Sequence, residues 1–187
     1  MTTTERDPLV AAAVAGDETA FAELVERHGR ELHAHAYRIV GSHEDAEDVT
    51  QETFLRAWRR RESYQGRASF RTWLYTIATN ACLSALERRS RRPQAARGVD
   101  GAWENVASAD AEPGEVLVAK ETTKLALLVA VQHLPPRQRA VLIVRDVLGW
   151  TAKETAALLG TSVASVTSAH QRARSTLREK AGGSGRR

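Results

Sequence analysis

The sequence predicts an all-α protein: two small helical domains joined by a flexible linker, the second containing a helix-turn-helix. Three observations predict it. The chain of 187 residues is 42% hydrophobic but only 5% aromatic, and it is rich in Ala, Leu, Glu and Arg, the residues that lose least on entering a helix. Apolar residues recur at spacings of three and four, as one face of a helix requires. From about Arg91 to Gly114 that period vanishes in RRPQAARGVDGAWENVASADAEPGE, whose Ala, Gly, Pro and acids read as a linker. A span of that length without structure is out of place inside one compact domain and marks a boundary.

Each element has its own warrant. Asp17 is placed to cap a helix over 18–40, whose apolar positions are Phe21, Leu24, Val25, Leu32, Ala36, Ile39 and Val40. Gly41 ends it. Ser42 with Asp45 resembles a capping box opening a helix to about Arg61. SYQGRAS is a turn. In the next helix Phe70, Leu74, Ile77, Ala78 and Ala81 form one apolar stripe, and Trp73, Asn80, Ser84 and Arg88 form another on the side away from the core. Periodicity resumes after the linker with KLALLVAVQHL. Pro135-Pro136 ends that helix and starts another, because proline fits a first helical turn but not an interior. This helix carries Val141, Val144 and Leu148 and stops at Gly149. Thr151 and Glu154 form a capping box for AKETAALL, Gly160 closes it, and VASVTSAHQRARSTLREK is the last helix.

Composition excludes several classes. A single cysteine, Cys82, rules out an internal disulfide or a Cys-rich metal site and suits a reducing cytosol. MTTTERDPLV lacks a signal-peptide pattern, and no apolar run approaches the roughly 20 residues that span a bilayer. Cytoplasmic localisation without membrane insertion follows as the expectation. His33 and His35 are two apart and point to different sides of a helix. No H-E-x-x-H, phosphate loop or nucleophile elbow occurs. The sequence therefore suggests neither an enzyme nor a bound metal or cofactor.

Charge is strongly segregated. Residues 1–53 hold 4 Lys/Arg against 12 Asp/Glu, residues 54–97 hold 11 against 2, residues 98–123 hold 1 against 6, and residues 124–187 hold 11 against 3. Two basic blocks around an acidic spacer suit two polyanion surfaces, the alternative being ordinary solvated helix faces. Two short helices joined by a Gly-containing turn are the signature of a helix-turn-helix, against a plain helical hairpin. The last helix would bury Val163, Val166, Ala173 and Leu177 and present Thr167, Ser168, Gln171, Arg172 and Arg174 to a major groove. Trp73 beside Asn80 suits stacked, unpaired bases, though a tryptophan taken alone is more often core than a stacking platform.

Three stretches, DAEDVTQETFLRAW, FRTWLYTIATNACLSALERRSRR and LPPRQRAVLIVRDVLGWTAKETAALLGTSVASVTSAHQRAR, resemble in order and spacing the extracytoplasmic-function sigma factors of bacterial RNA polymerase. The resemblance implies a region 2 domain over 1–92, a linker over 93–120 and a region 4 domain over 121–187. It implies that Asp45, Asp48, Gln51, Glu52 and Leu55 dock on core polymerase, whose clamp and flap regions are the partner surfaces. It implies that Tyr64, Arg71, Trp73, Thr76, Asn80 and Arg88 melt and hold the −10 element, and that Thr167, Ser168, Gln171, Arg172 and Arg174 read duplex −35 DNA. The partners would be core polymerase, promoter DNA and possible anti-sigma factors. The chain's end at GGSGRR implies no further C-terminal domain. Ser84, Thr167, Ala169 and His170 depart from the family pattern, His170 reading as a tolerated, partly buried histidine. The alternative function is a helix-turn-helix regulator acting at an operator.

Overall fold

The computed structural model describes residues 7–91 and 131–183, with side chains to 179. Its elements are α1 (Pro8–Val14), α2 (Glu18–Val40), α3 (His43–Arg59), a 3₁₀ turn (Arg61–Ser63), α4 (Phe70–Ser90), α5 (Pro136–Leu142), a π turn (Ile143–Val147), α6 (Ala152–Leu159) and α7 (Val163–Gly183). The described residues form helices and no strands, as the sequence predicts. The expected linker over 93–120 lies outside the described residues, as does most of KLALLVAVQHL.

Capping fixes the helix ends. The Asp17 carboxylate accepts from the Ala20 N–H at 3.0 Å, and Gly41 closes α2 at φ 74°, a left-handed conformation that only glycine adopts cheaply. Ser42 accepts from the Asp45 N–H at 3.2 Å, while the Asp45 carboxylate takes the Arg89 guanidinium at 3.3 Å. The capping box anticipated at Ser42 is thus half a box. α3 stops at Arg59, two positions before the expected Arg61, where the chain tightens into the 3₁₀ turn. α1 was not anticipated; Asp7 caps it, with proline at the first helical position.

α2, α3 and α4 enclose Leu24, Leu32, Phe54, Ala57, Leu74, Ile77 and Ala78, with Phe70 closing one end. Each large apolar side chain buried this way contributes about 1.5–3 kcal/mol. His35 is fully buried here. Its Nε2–H donates to Thr79 Oγ1 at 2.9 Å, because the Thr79 hydroxyl is itself spent on the Tyr75 carbonyl at 2.8 Å. Nδ1 is left buried without a partner. Burial drives the His35 pKa down to about 3, with Arg38 and Arg71 adding to it, so the ring is neutral.

α5, α6 and α7 pack around Val141, Ala156 and Val166. The Thr151–Glu154 capping box forms with both halves present. After α6, Thr161 N–H bonds the Ala156 carbonyl at 3.0 Å and Gly160 N–H the Ala157 carbonyl at 3.4 Å, with Gly160 at φ 58°. That pairing turns the chain sharply into α7. Val163 departs from expectation: it is 47% exposed. As the first residue of α7 it stands outside the wedge of α5 and α6, which Val166 fills one turn later. Val166 and Ala173 are buried and Leu177 is partly so, as the pattern predicts.

The two halves also meet. Ala36, Tyr37, Ile39, Val40, Ala81 and Leu86 share a core with Val131, Leu134, Leu142, Ile143 and Ala173. Arg139, 6% exposed, lies at that boundary. Burial lowers its pKa to about 10, and the nearby charge of Arg89 acts in the same direction.

Candidate nucleic-acid interface

Three helix faces carry the residues singled out by the sequence. On α3, Asp48, Gln51, Glu52 and Leu55 fall at positions i, i+3, i+4 and i+7, on one side of the helix. Asp48 and Gln51 are exposed, and Leu55 is 51% exposed, unusual for a leucine flanked by buried Phe54 and Ala57. Glu52 is engaged by Arg56 at 2.6 Å and Asp45 by Arg89. The outward face of this stripe is therefore Asp48, Gln51 and Leu55. On the opposite side Ala46, Val49, Thr53 and Phe54 are buried, which orients the stripe.

The second face belongs to α4 and the turn before it. Ser69 caps α4 by accepting from the Thr72 N–H at 3.1 Å. Phe70, Trp73 and Tyr64 then form a ring cluster, with centroids 5.3 to 5.5 Å apart. Trp73 is half-buried, so it serves both readings: one side packs on the core and the rest stays open. Tyr64 donates its hydroxyl to the Ala68 carbonyl at 2.8 Å, closing the turn. Arg71 is braced. Its Nε donates to Glu31 at 2.8 Å, its Nη2 to the Tyr75 hydroxyl at 3.1 Å, and its guanidinium lies 4.7 Å from the Tyr75 ring centroid.

Burial would raise the Glu31 pKa, but hydrogen bonds from His28 and Arg71 outweigh it and hold the carboxyl low. Burial and the Glu31 charge push Tyr75 up to about 12. Both groups keep their bracing forms at neutral pH. Thr76 back-bonds to the Thr72 carbonyl at 3.0 Å. Asn80 donates to the Thr76 carbonyl at 2.9 Å and, across the halves, to the Leu158 carbonyl at 3.4 Å. Arg88 is exposed at the far end, so α4 spreads its candidate residues along the helix.

The third face is the outer side of α7. Thr167, Ser168, Gln171, Arg172 and Arg174 are all exposed. Thr167 bonds only the Val163 carbonyl of its own helix, at 2.9 Å. Arg174 is drawn aside by Asp146 of the π turn at 3.6 Å, and His170 donates its Nε2–H to the same carboxylate at 2.7 Å. His170 is thus half-buried, as anticipated, and also partnered, and Arg174 is less available than Arg172.

The sequence reading missed the bracing set. Glu31 sits 40 residues from Arg71 and was counted only in the acidic balance. Leu148 and Trp150 of the second half pack against the apolar core of the first half, the core that also holds Phe70. No local pattern marks either contact. Among the described residues no group of three or more His, Cys, Asp or Glu could hold a metal ion. No helix among them is long and apolar enough to cross a membrane.

Comparison with known proteins matches the chain to two family models, Sigma-70 region 2 over residues 24–92 and Sigma-70, region 4 over residues 124–177. The chain is 36% identical over 169 residues to the ECF RNA polymerase sigma factor SigM of Mycobacterium tuberculosis, covering 90% of this chain and 81% of that one. It is 45% identical over 175 residues to SigG of the same species, covering 84% of this chain but 47% of SigG, so it spans about half of that relative's length. Among solved structures, CnrH in complex with the cytosolic domain of CnrY superposes with a TM-score of 0.65 at 27% identity, covering 94% of this chain and 96% of that one.

Proposed function

Because the chain belongs to the extracytoplasmic-function sigma factors of bacterial RNA polymerase, we propose that it is a transcription initiation factor that binds core RNA polymerase and directs it to promoters. In this reading residues 1–92 form the polymerase-binding and −10 domain, 93–120 the linker and 121–187 the −35 domain. The protein works in the cytoplasm and has no enzymatic activity of its own. An anti-sigma factor is the regulatory partner.

One observation carries the reading: an acidic stripe and two basic or aromatic faces occupy three separate helices within the two family matches. The α3 stripe docks on the polymerase clamp through Asp48, Gln51 and Leu55, with Asp45 and Glu52 tied to their arginines at its edge. Its negative charge keeps it off DNA, where like charge is repelled. The α4 face stacks unpaired bases on Trp73 and holds edges and phosphates through Asn80, Arg71 and Arg88. The α7 face enters the major groove of the −35 duplex. An operator-binding regulator would use α7 but leave the braced face of α4 without a role.

Asp48→Arg combined with Gln51→Ala tests the first step. Both side chains are exposed, so helicity and melting temperature should stay near wild type. Holoenzyme formation and run-off transcription should be lost. Retrieval of core polymerase at wild-type strength by the folded double variant would overturn the docking assignment.

A further inference from the structure

We propose that the second half closes on the first through a latch built from Arg139, Gln132 and the carboxyl end of α2, and that this closure covers part of the α4 strand face. The last turn of a helix leaves carbonyls without intrahelical partners and carries the negative end of the helix dipole. In α2 two of these are taken by the other half. Arg139 Nη1 donates to the Ile39 carbonyl at 2.5 Å, and Gln132 Nε2 donates to the Arg38 carbonyl at 3.2 Å. Arg139 also grips its own half, with 2.6 Å to Gln132 Oε1, 2.7 Å to the Gln132 carbonyl and 3.1 Å to the Leu134 carbonyl.

Gly41 makes room for this. A Cβ there would run into the Gln132 carboxamide, so one glycine both ends α2 and admits the partner.

Two further contacts bring the second half to the edge of the strand face, where Asn80 itself stays exposed. Asn80, a proposed −10 residue, donates to the Leu158 carbonyl at 3.4 Å. Leu148 and Trp150 pack on the cluster that holds Tyr64, Phe70 and Trp73. The latch is built to release. Its cation is buried against carbonyl dipoles, and its Nε has no partner. A buried charge held this way pays heavily in lost hydration, so opening returns solvation to Arg139 while the α2 carbonyls turn to water.

The covered face rests on the function proposed above; the latch does not, and it is tested without DNA. Spin labels on Ala22→Cys of α2 and Ser175→Cys of α7, both exposed, report the distance between halves in the full chain, since native Cys82 is buried. A single narrow distance is expected for the free protein. Arg139→Met loses three bonds within its own half and Gln132→Ala only one, so Gln132→Ala with Leu148→Glu is the cleaner opening variant. With helicity unchanged, its distances should broaden and lengthen. A broad distribution in the otherwise unaltered chain, or a narrow one in the folded opening variant, overturns the latch.

A fluorescent single-stranded DNA pool of mixed sequence then tests coverage. The opening variant should bind it several-fold more tightly than wild type at equal salt. Opening without tighter binding overturns the coverage, while failure to retrieve core polymerase would overturn the function and leave the distances as they are.

Discussion

The faces of α4 and α7 are proposed to hold the same polymer in two states, and they are built in opposite ways. On α4 nearly every polar candidate is tied down: Arg71 to Glu31 and Tyr75, Tyr64 to Ala68, Thr76 to Thr72, Asn80 to Thr76 and Leu158. On α7, Ser168, Gln171 and Arg172 stand exposed on a helix whose opposite side alone is packed. The difference follows from the ligand. A separated strand is flexible, so binding it tightly requires the protein to supply the rigid partner and avoid ordering both at once. A duplex is already stiff and presents fixed edges, so mobile side chains suffice to find them. The braced face is the costlier to build and the more fragile.

The largest expected effect is therefore on the braced side. Phe70 is buried where the ring cluster meets the core. Phe70→Ala should cost about 3–5 kcal/mol of stability, as a large-to-small change in a packed core does, and should unseat Tyr64 and Trp73 together. Val166→Ala, the matching deletion in the helix-turn-helix, removes fewer atoms and should cost less. Chemical denaturation of both variants measures this. A smaller loss for Phe70→Ala than for Val166→Ala would break the contrast between the two faces.

How much of this could be read from the sequence divides along the same line. Local signals were legible: Asp17 and Gly41 bound α2, and Thr151, Glu154 and Gly160 bound α6, as capping chemistry requires. The α7 face was legible because it is an exposed helix stripe, touched at Arg174 by Asp146. The π turn was not, since an apolar period of three to four runs on through Val141, Val144 and Leu148 whether or not one residue is inserted. Neither was the bracing of α4, which joins residues 40 or more apart, such as Glu31 with Arg71 and His35 with Thr79. Arg139 was invisible for another reason. An arginine in an amphipathic pattern is read as solvated, and its burial is tolerable because the Ile39 carbonyl at the end of α2 and acceptors of Gln132 and Leu134 take its donors.

Acid should sharpen the contrast next. His35 stays neutral in the folded protein because its pKa lies near 3, whereas in the unfolded chain it takes up a proton below its ordinary value of 6.5. The unfolded state then binds more protons, so stability is full above about pH 6.5 and falls as pH drops toward 3. Between pH 7 and pH 5 this amounts to about 2 kcal/mol. His33, also depressed by burial and by His43, acts with the same sign. In the second half His133 is exposed and His170 half-buried beside Asp146. Hydrogen exchange at pH 5 should therefore loosen α2 and α4 before α6 and α7. His35→Gln should flatten the pH dependence of stability; an unchanged slope in that variant would remove His35 as its source.

The smallest expected effect separates two ways in which α7 can use its open face. Arg172 is exposed and, unlike Arg174, is not drawn toward Asp146. If its guanidinium reaches a guanine edge, Arg172→Ala loses about 1–3 kcal/mol of discrimination, and the preference at one or two −35 positions relaxes. If it holds a phosphate, affinity instead drops nearly evenly across sequences and the salt dependence becomes shallower by about one unit. Binding of the holoenzyme to a panel of −35 duplexes at several salt concentrations distinguishes the two. Trp73→Ala should leave that duplex binding untouched and impair opening, because its partners exist only once the strands part. A template carrying a pre-melted bubble should restore part of the Trp73→Ala defect if the ring helps to open the duplex, and little if it only stacks bases already exposed. Equal loss of duplex −35 binding in Trp73→Ala and Arg172→Ala would mean that the braced and open faces share one task, and the proposed division of labour between α4 and α7 would fall.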